Sequence, residues 1–147
     1  MKKDKTTKKE ALQALAVLLR KWQGIEDDSV ALASRVLEKT GNPLIRLVME
    51  IIQQDSVMHK KVQQAILDSL ETKAFSLRPE ELADIWSMIE KHDQTEKEAV
   101  RLAEEAKEAC PLVIQRQLLD YLVEDEKKHD RLMGNLEDFK RSIHPYA

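Results

Sequence analysis

Apolar residues recur every three to four positions along most of this chain, and this spacing predicts amphipathic α-helices. The pattern gives four helical segments, at about residues 8–39, 43–71, 79–109 and 111–141. Gly41 suits a left-handed cap after the first helix, and Asn42 followed by Pro43 suits the start of the second. Four helices of roughly 30 residues, each about 45 Å long, predict an all-α protein with a four-helix bundle.

Polar residues interrupt the apolar face of each predicted helix at one position. These residues are Glu26, His59, Glu96 and His129. A bundle core does not accept carboxylates and imidazoles without compensating partners. In each predicted hairpin the Glu and the His are equidistant from the turn, so they should lie at one height. We therefore expect all four residues to meet near the middle of the bundle.

The chain also repeats itself at an offset of 70 residues. Residues 26–59 and 96–129 are identical at eight of thirty-four positions (26, 30, 32, 33, 38, 46, 55 and 59), whereas ordinary residue usage would give roughly two. The repeat predicts two related helical hairpins, at 8–71 and 79–141, within a single domain spanning 1–147. Residues 1–7 are expected to be a flexible basic tail.

Composition narrows the class of protein. Charged residues make up 35% and aromatic residues 4%, with three glycines, which is typical of helical proteins. The net charge of −3 gives no electrostatic reason to expect nucleic-acid binding. The one cysteine, Cys110, excludes an intramolecular disulfide framework and favours a cytoplasmic setting. No apolar run approaches the ~20 residues that span a bilayer, so no membrane partner is expected.

Carboxylates and imidazoles drawn from several rigid helices are the ligands of divalent iron, manganese or zinc. Glu126 and His129 form a Glu-x-x-His pair, which places both side chains on one face of a helix. Either residue alone is more often a hydrogen-bonded core residue. The doubled and equally spaced set instead favours metal binding.

With these residues in this order along four helices, the chain resembles the ferritin-like di-iron carboxylate superfamily, and within it the rubrerythrin-like and erythrin-like branch. The resemblance covers about residues 12–141 and implies a ferritin-like four-helix bundle built from two repeated helical hairpins. It also implies an iron site, di-iron or mononuclear, with Mn or Zn as other candidate metals. The implied ligands are Glu26, His59, Glu96, Glu126 and His129. Asp55 and Asp125 would accept the second ring N–H of the ligand histidines.

The chain departs from the family pattern at Ser56, which occupies the position of a bridging Glu. A serine hydroxyl is shorter than Glu and is a poor ligand for these metals. The site could therefore hold one metal, two metals with a water in the gap, or none. His92, one turn before Glu96, is an auxiliary ligand that would offset the loss, or else a hydrogen-bonded core residue.

The resemblance implies a non-haem iron protein that reacts iron with oxygen or peroxide, as a di-iron oxidase or peroxidase does. An external electron donor would be required, because no rubredoxin-like Cys-x-x-Cys segment follows the bundle. The alternative is a non-enzymatic helical bundle, a structural or interaction protein with a degenerate metal site. A third hypothesis is iron storage inside a closed protein shell.

The connector between the second and third predicted helices bears on the oligomeric state. In the family these helices run parallel, so bringing His59 and Glu96 to one height asks the connector to span about 43 Å. Residues 72–79 reach at most about 29 Å when extended. The chain could unravel some helix, form a simple up-and-down bundle, or exchange hairpins between two copies. This argument favours a homodimer, with or without exchanged hairpins, slightly over a monomer.

Overall fold

The computed structural model describes residues 6–143, and every regular element in that range is a helix. The elements are α1 (Lys8–Lys39), α2 (Pro43–Glu71), α3 (Pro79–Ala83), α4 (Trp86–Ala109) and α5 (Val113–Ile143). The prediction of an all-α protein is confirmed. The predicted basic tail at 1–7 lies outside the described residues except for Thr6 and Thr7.

The chain divides into two compact units, Met1–Ala74 and Phe75–Ala147. In the first unit α1 packs against α2, and in the second α4 packs against α5. Each unit therefore contains a helical hairpin, which we call the first and the second hairpin. The ferritin-like arrangement of the two hairpins stays a prediction.

Local capping explains where the first two helices begin. Thr7 accepts a hydrogen bond from the backbone N–H of Glu10, whose side chain accepts one from the Thr7 backbone in return. This reciprocal pair satisfies two of the N–H groups that have no partner within the helix. Asn42 caps α2 by accepting from the backbone N–H of Leu44 and Ile45, and Pro43 follows it. The predicted bounds of α1 and α2 are confirmed.

The prediction of a left-handed cap at Gly41 is wrong, because no described glycine has a positive φ. Helix α1 instead ends at an extended Thr40, with φ −131° and ψ 139°. The guanidinium of Arg46 reaches back from α2 and donates to the carbonyls of Leu37 and Thr40 at 2.7 and 3.0 Å. A side chain of the next helix thus satisfies carbonyl groups that a glycine cap motif would otherwise satisfy.

The prediction of one helix over 79–109 is also wrong, because the helix is interrupted at Asp84 and Ile85. The N–H of Ile85 donates to the carbonyl of Leu82, three residues back, which replaces the four-residue spacing of the α-helix. The segment contains neither Gly nor Pro at the break, so the sequence offers no signal of it. Helix α5 begins two residues later than predicted, which is within the usual uncertainty of helix ends, and it is helical up to Ile143, the last described residue.

A small apolar core holds the first hairpin together. Ala16 and Leu19 of α1 pack with Leu67 of α2, and the partly buried Ile66 lies against them. Between Lys60 and Asp27 an ion pair of 2.7 Å ties the two helices at the surface. The contacts join residues at nearly equal distances from the turn, as an antiparallel hairpin requires.

Ion pairs also join the two helices of the second hairpin, in which α4 has no buried residue. Lys107 pairs with Asp120 at 2.5 Å, and Lys127 pairs with Glu104 at 3.0 Å. The ammonium of Lys140 lies 4.3 Å from the centre of the Trp86 ring. Surface pairs of this kind contribute about 0–1 kcal/mol each, so each of them adds little to the stability of the hairpin.

Many large apolar side chains of the described residues remain more than a third exposed, among them Leu18, Leu32, Leu102 and Leu132. Two helices can bury only the stripe along their mutual contact, so the rest of each apolar face lies outside it. None of the described helices has the length and apolar character needed to cross a membrane.

Candidate metal centre

Three potential metal ligands come together in the second hairpin: Glu96 from α4, and Glu126 and His129 from α5. One ligand atom of each lies within 4.8 Å of the others. The Nδ1 atom of His129 is 3.4 Å from a carboxylate oxygen of Glu96 and 3.6 Å from one of Glu126. Ligand atoms bound to one ion at about 2.0–2.2 Å lie roughly 3 Å apart, so a small closure would fit this triad to a metal.

The positions of the three residues on the helices explain this convergence. Glu126 and His129 are three residues apart on α5, so they share a face, and Glu96 lies across the hairpin at the height of His129. The Glu96 side chain is 14% exposed and His129 is 40% exposed. The triad is therefore partly shielded and still open to ions from solution.

The two carboxylates of the triad influence each other's protonation. Burial and the neighbouring Glu96 carboxylate raise the pKa of Glu126 above its ordinary value. Burial by itself would raise the pKa of Glu96, but hydrogen bonds with His92 and Glu126 and the nearby imidazole of His129 lower that pKa overall. Two carboxylates held this close repel each other when both are ionised, and a bound cation would relieve that repulsion.

Two of the predicted auxiliary residues lie beside the triad. The Nε2 atom of His92 is 2.9 Å from Glu96, but the His92 side chain is 60% exposed, so it is not a core residue. Asp125 lies 3.4 Å from the Nε2 atom of His129. This arrangement suits an imidazole that gives its Nε2–H to Asp125 and leaves Nδ1 free for a metal.

Glu26 and His59, the predicted ligands of the first hairpin, are also in contact. Glu26 is buried, and its Oε1 lies 3.2 Å from the Nδ1 atom of His59. The same oxygen accepts a hydrogen bond of 3.4 Å from the amide of Gln63. A groove of about 390 Å³ on this hairpin reaches Glu26 and Ser56.

Ser56 is buried, and its hydroxyl donates to the hydroxyl of Ser29 at 3.0 Å. This bond occupies the hydroxyl of the residue that lies at the repeat position of Glu126. Among the described residues, no hydrogen bond or ion pair joins Asp55 to His59, unlike Asp125 and His129 in the second hairpin. The expectation that the ligands of both hairpins meet at one height stays a prediction.

Sequence reasoning missed Gln63, Ser29 and a reversed ion pair. Gln63 and Ser56 are seven residues apart on α2, so they share a face with the predicted site, and that spacing was the available signal. The pair Asp27–Lys60 has a counterpart of opposite charge at an offset of 70, where Lys97 lies 3.5 Å from Asp130. Both halves of the repeat therefore have an ion pair between their helices at this position, but the positive and negative residues have changed places.

Comparison with known proteins assigns this chain to no family. No protein-family model matches it, and no curated protein or solved structure is significantly similar to it. Any assignment of function therefore depends on the geometry of the triad in the second hairpin and of Glu26 and His59 in the first.

Proposed function

We propose that this protein binds a divalent metal ion through Glu96, Glu126 and His129. The observation that carries the proposal is the convergence of these three side chains from two helices within 4.8 Å. Two carboxylates and one imidazole form a ligand set for Fe²⁺, Mn²⁺ or Zn²⁺. Ionised carboxylates held together at a partly buried site also favour a cation electrostatically.

Iron is the metal that the resemblance to ferritin-like proteins favours. When bound, Fe²⁺ would supply the electrons that reduce oxygen or peroxide and would be left as Fe³⁺, as in a di-iron oxidase or peroxidase. The chain's own part is to hold the ion with the triad, to orient His129 through Asp125, and to leave the open side accessible to a small oxidant. The proposal includes an external electron donor, which would reduce Fe³⁺ back to Fe²⁺ after each reaction.

A second candidate is a non-enzymatic helical protein with a degenerate metal site. The hydrogen bond between Ser56 and Ser29 favours it, because the buried hydroxyl of Ser56 has a partner in the half-buried Ser29 without an ion. Under this reading, Glu26 and His59 form a hydrogen-bonded polar core in the first hairpin. The two candidates differ in whether the triad has measurable affinity for metal.

The decisive experiment is calorimetric titration of chelator-free protein with Zn²⁺, and with Fe²⁺ under anaerobic conditions. We expect the combined Glu96→Ala and His129→Ala variant to lose the ion bound by the triad. Glu90→Ala, an exposed residue of the same type on α4, is the matched control and should bind as the unmodified chain does. Absence of any binding to the unmodified protein would contradict the proposal.

The oxidase or peroxidase reading needs a separate measurement. Oxygen or peroxide added to the Fe²⁺-loaded protein should produce ferric absorbance faster than in a protein-free iron control. The Glu96→Ala and His129→Ala variant should oxidise iron at the control rate. Equal rates for the unmodified protein and the control would leave metal binding intact and reject redox turnover.

A further inference from the structure

Met133 is an oxidisable residue of α5 that lies one helical turn after His129. Residues four positions apart on a helix share a face, so Met133 lies on the face of α5 that carries His129. The residue is half-buried. A thioether next to a site that takes peroxide is a group that peroxide can convert to a sulfoxide.

The first hairpin shows where a side chain at this position reaches. Gln63 is the residue equivalent to Met133 at the offset of 70, and its amide nitrogen lies 3.4 Å from the buried Glu26 carboxylate. The two hairpins have the same register, because the Glu–His contact of the first, at 3.2 Å, recurs in the second at 3.4 Å. The ion pair one residue further along each helix recurs as well. We therefore expect the Met133 side chain, which has the same number of atoms along its length as Gln up to the δ position, to lie toward Glu96.

Two other methionines differ from Met133 in exposure. Met58 and Met88 are 55% and 58% exposed, whereas Met133 is half-buried. Peroxide that acts from bulk solution reaches the exposed thioethers first, because oxidation follows access. Met88 also lies eight residues before Glu96 on α4, which is about 12 Å along the helix axis. Preferential oxidation of Met133 over Met88 would therefore identify the triad as the place where peroxide reacts.

We propose that Met133 is the reductant for peroxide that reacts at the iron-loaded triad, and that its thioether becomes methionine sulfoxide. This inference rests on the proposed function and adds to it a source of electrons within the chain. The O–O bond of hydrogen peroxide breaks, one oxygen forms a bond to sulfur, and the other leaves as water with both protons. Sulfur loses two electrons and peroxide gains them, with no net change in the metal. Each chain consumes one peroxide molecule in this way until a reductant restores the thioether.

The test is peptide mass spectrometry of the full chain, loaded with Fe²⁺ in the absence of oxygen and treated with a limiting amount of hydrogen peroxide. We expect sulfoxide to form at Met133 about tenfold faster than at Met88, because the reacting groups are held together. In the metal-free protein the exposed Met88 should instead be oxidised faster. The Glu96→Ala and His129→Ala variant, mixed with the same iron, should not favour Met133.

A second measurement counts the peroxide that is consumed. Met133→Leu removes the sulfur with little change in side-chain volume. It should bind iron with unchanged affinity and should consume about one peroxide molecule fewer per chain than the unmodified protein. Met88→Leu is the matched control and should consume as much peroxide as the unmodified protein over the same time. Thermal denaturation checks that both variants are folded.

The outcomes separate this inference from the proposed function, because calorimetry reports iron binding in the same samples. Iron binding without selective oxidation of Met133 would overturn the inference and leave the proposed function in place. Equal oxidation of Met133 and Met88 would do the same, since it would assign the reaction to an oxidant that diffuses freely. Selective oxidation of Met133 in metal-free protein would also overturn the inference, because the triad would then have no part in it. Absence of iron binding would contradict both.

Discussion

At the scale of single residues, the candidate site combines groups that are unfavourable together without a cation. Glu126 lies beside Glu96 in a partly shielded position, and burial and that neighbour raise the pKa of Glu126. Such a carboxylate is more easily protonated in the folded chain than in the unfolded chain. Protonation of Glu126 therefore adds to the free energy of unfolding at low pH. This contribution is lost as the pH rises through the pKa of Glu126 in the folded chain.

We expect Glu126→Gln to raise the melting temperature of the metal-free protein at about pH 7, because the neutral amide does not repel Glu96. The gain should disappear at about pH 4, where Glu126 in the unmodified chain is largely protonated. The same change should weaken metal binding. Thermal denaturation with a chelator measures the first effect, and Glu124→Gln, exposed on the same helix, is the control. A lower melting temperature at neutral pH would contradict the assignment of mutual repulsion.

Ser56 allows the opposite experiment, in which a carboxylate is introduced. Ser56→Glu removes the hydrogen bond to Ser29 and places a charge at a buried position. We expect a loss of about 1–3 kcal/mol in the metal-free protein and a larger stabilisation by Zn²⁺ than in the unmodified chain. Ser87→Glu, at an exposed position, should change stability by less than about 0.5 kcal/mol. A folded Ser56→Glu protein with unchanged response to Zn²⁺ would mean that residue 56 lies away from the metal.

At the scale of elements, short local signals determine where the first hairpin turns. Asn42 accepts two backbone hydrogen bonds at the start of α2, and Arg46 satisfies carbonyl groups at the end of α1. The turn therefore fixes which residue of α1 faces which residue of α2. The contact between Glu26 and His59 depends on that register.

Asn42→Ala should lower the free energy of unfolding by about 1 kcal/mol, because two N–H groups of α2 lose their acceptor. Asn42→Asp retains a carboxylate acceptor and should preserve most of the stability. Asn135→Ala, at an exposed position inside α5, is the control and should be neutral or slightly stabilising. Chemical denaturation measures all three, and equal losses for Asn42→Ala and Asn42→Asp would argue against a capping role.

At the scale of the whole molecule, the connector between the two hairpins is longer than the sequence predicted. Helix α2 ends at Glu71 and the long helix α4 begins only at Trp86, so the connector has fourteen residues, of which five form α3. The helical rise from His59 to Glu71 and from Trp86 to Glu96 now totals about 33 Å. Because Thr72, Asp84 and Ile85 also have helical backbone angles, the connector reaches about 34 Å at most, with residues 73–78 extended. This reach only just equals the required distance, so the exchange of hairpins between two copies stays a prediction.

The homodimer stays a prediction that light scattering can test. The chain has a mass of 17.0 kDa, so a dimer would give twice that value at all concentrations well above its dissociation constant. A concentration-independent mass of 17.0 kDa would reject the homodimer.

The sequence by itself determined the helical class, the bounds of α1 and α2, and the pairing of Glu with His inside each hairpin. These features follow from local capping and from counting residues outward from a turn, because the rise of an α-helix per residue is constant. The break at Asp84 and Ile85 was not predictable in this way, since apolar spacing continues through it without Gly or Pro.

Only the tertiary structure decided which polar groups satisfy one another. The burial of Gln63, the bond between Ser56 and Ser29, and the exposure of His92 all depend on how far one helix is rotated against its partner. Periodicity defines a face about 100° wide, which includes several side chains. The packing of the partner helix then selects which of them are buried, and this selection is not encoded in any single helix.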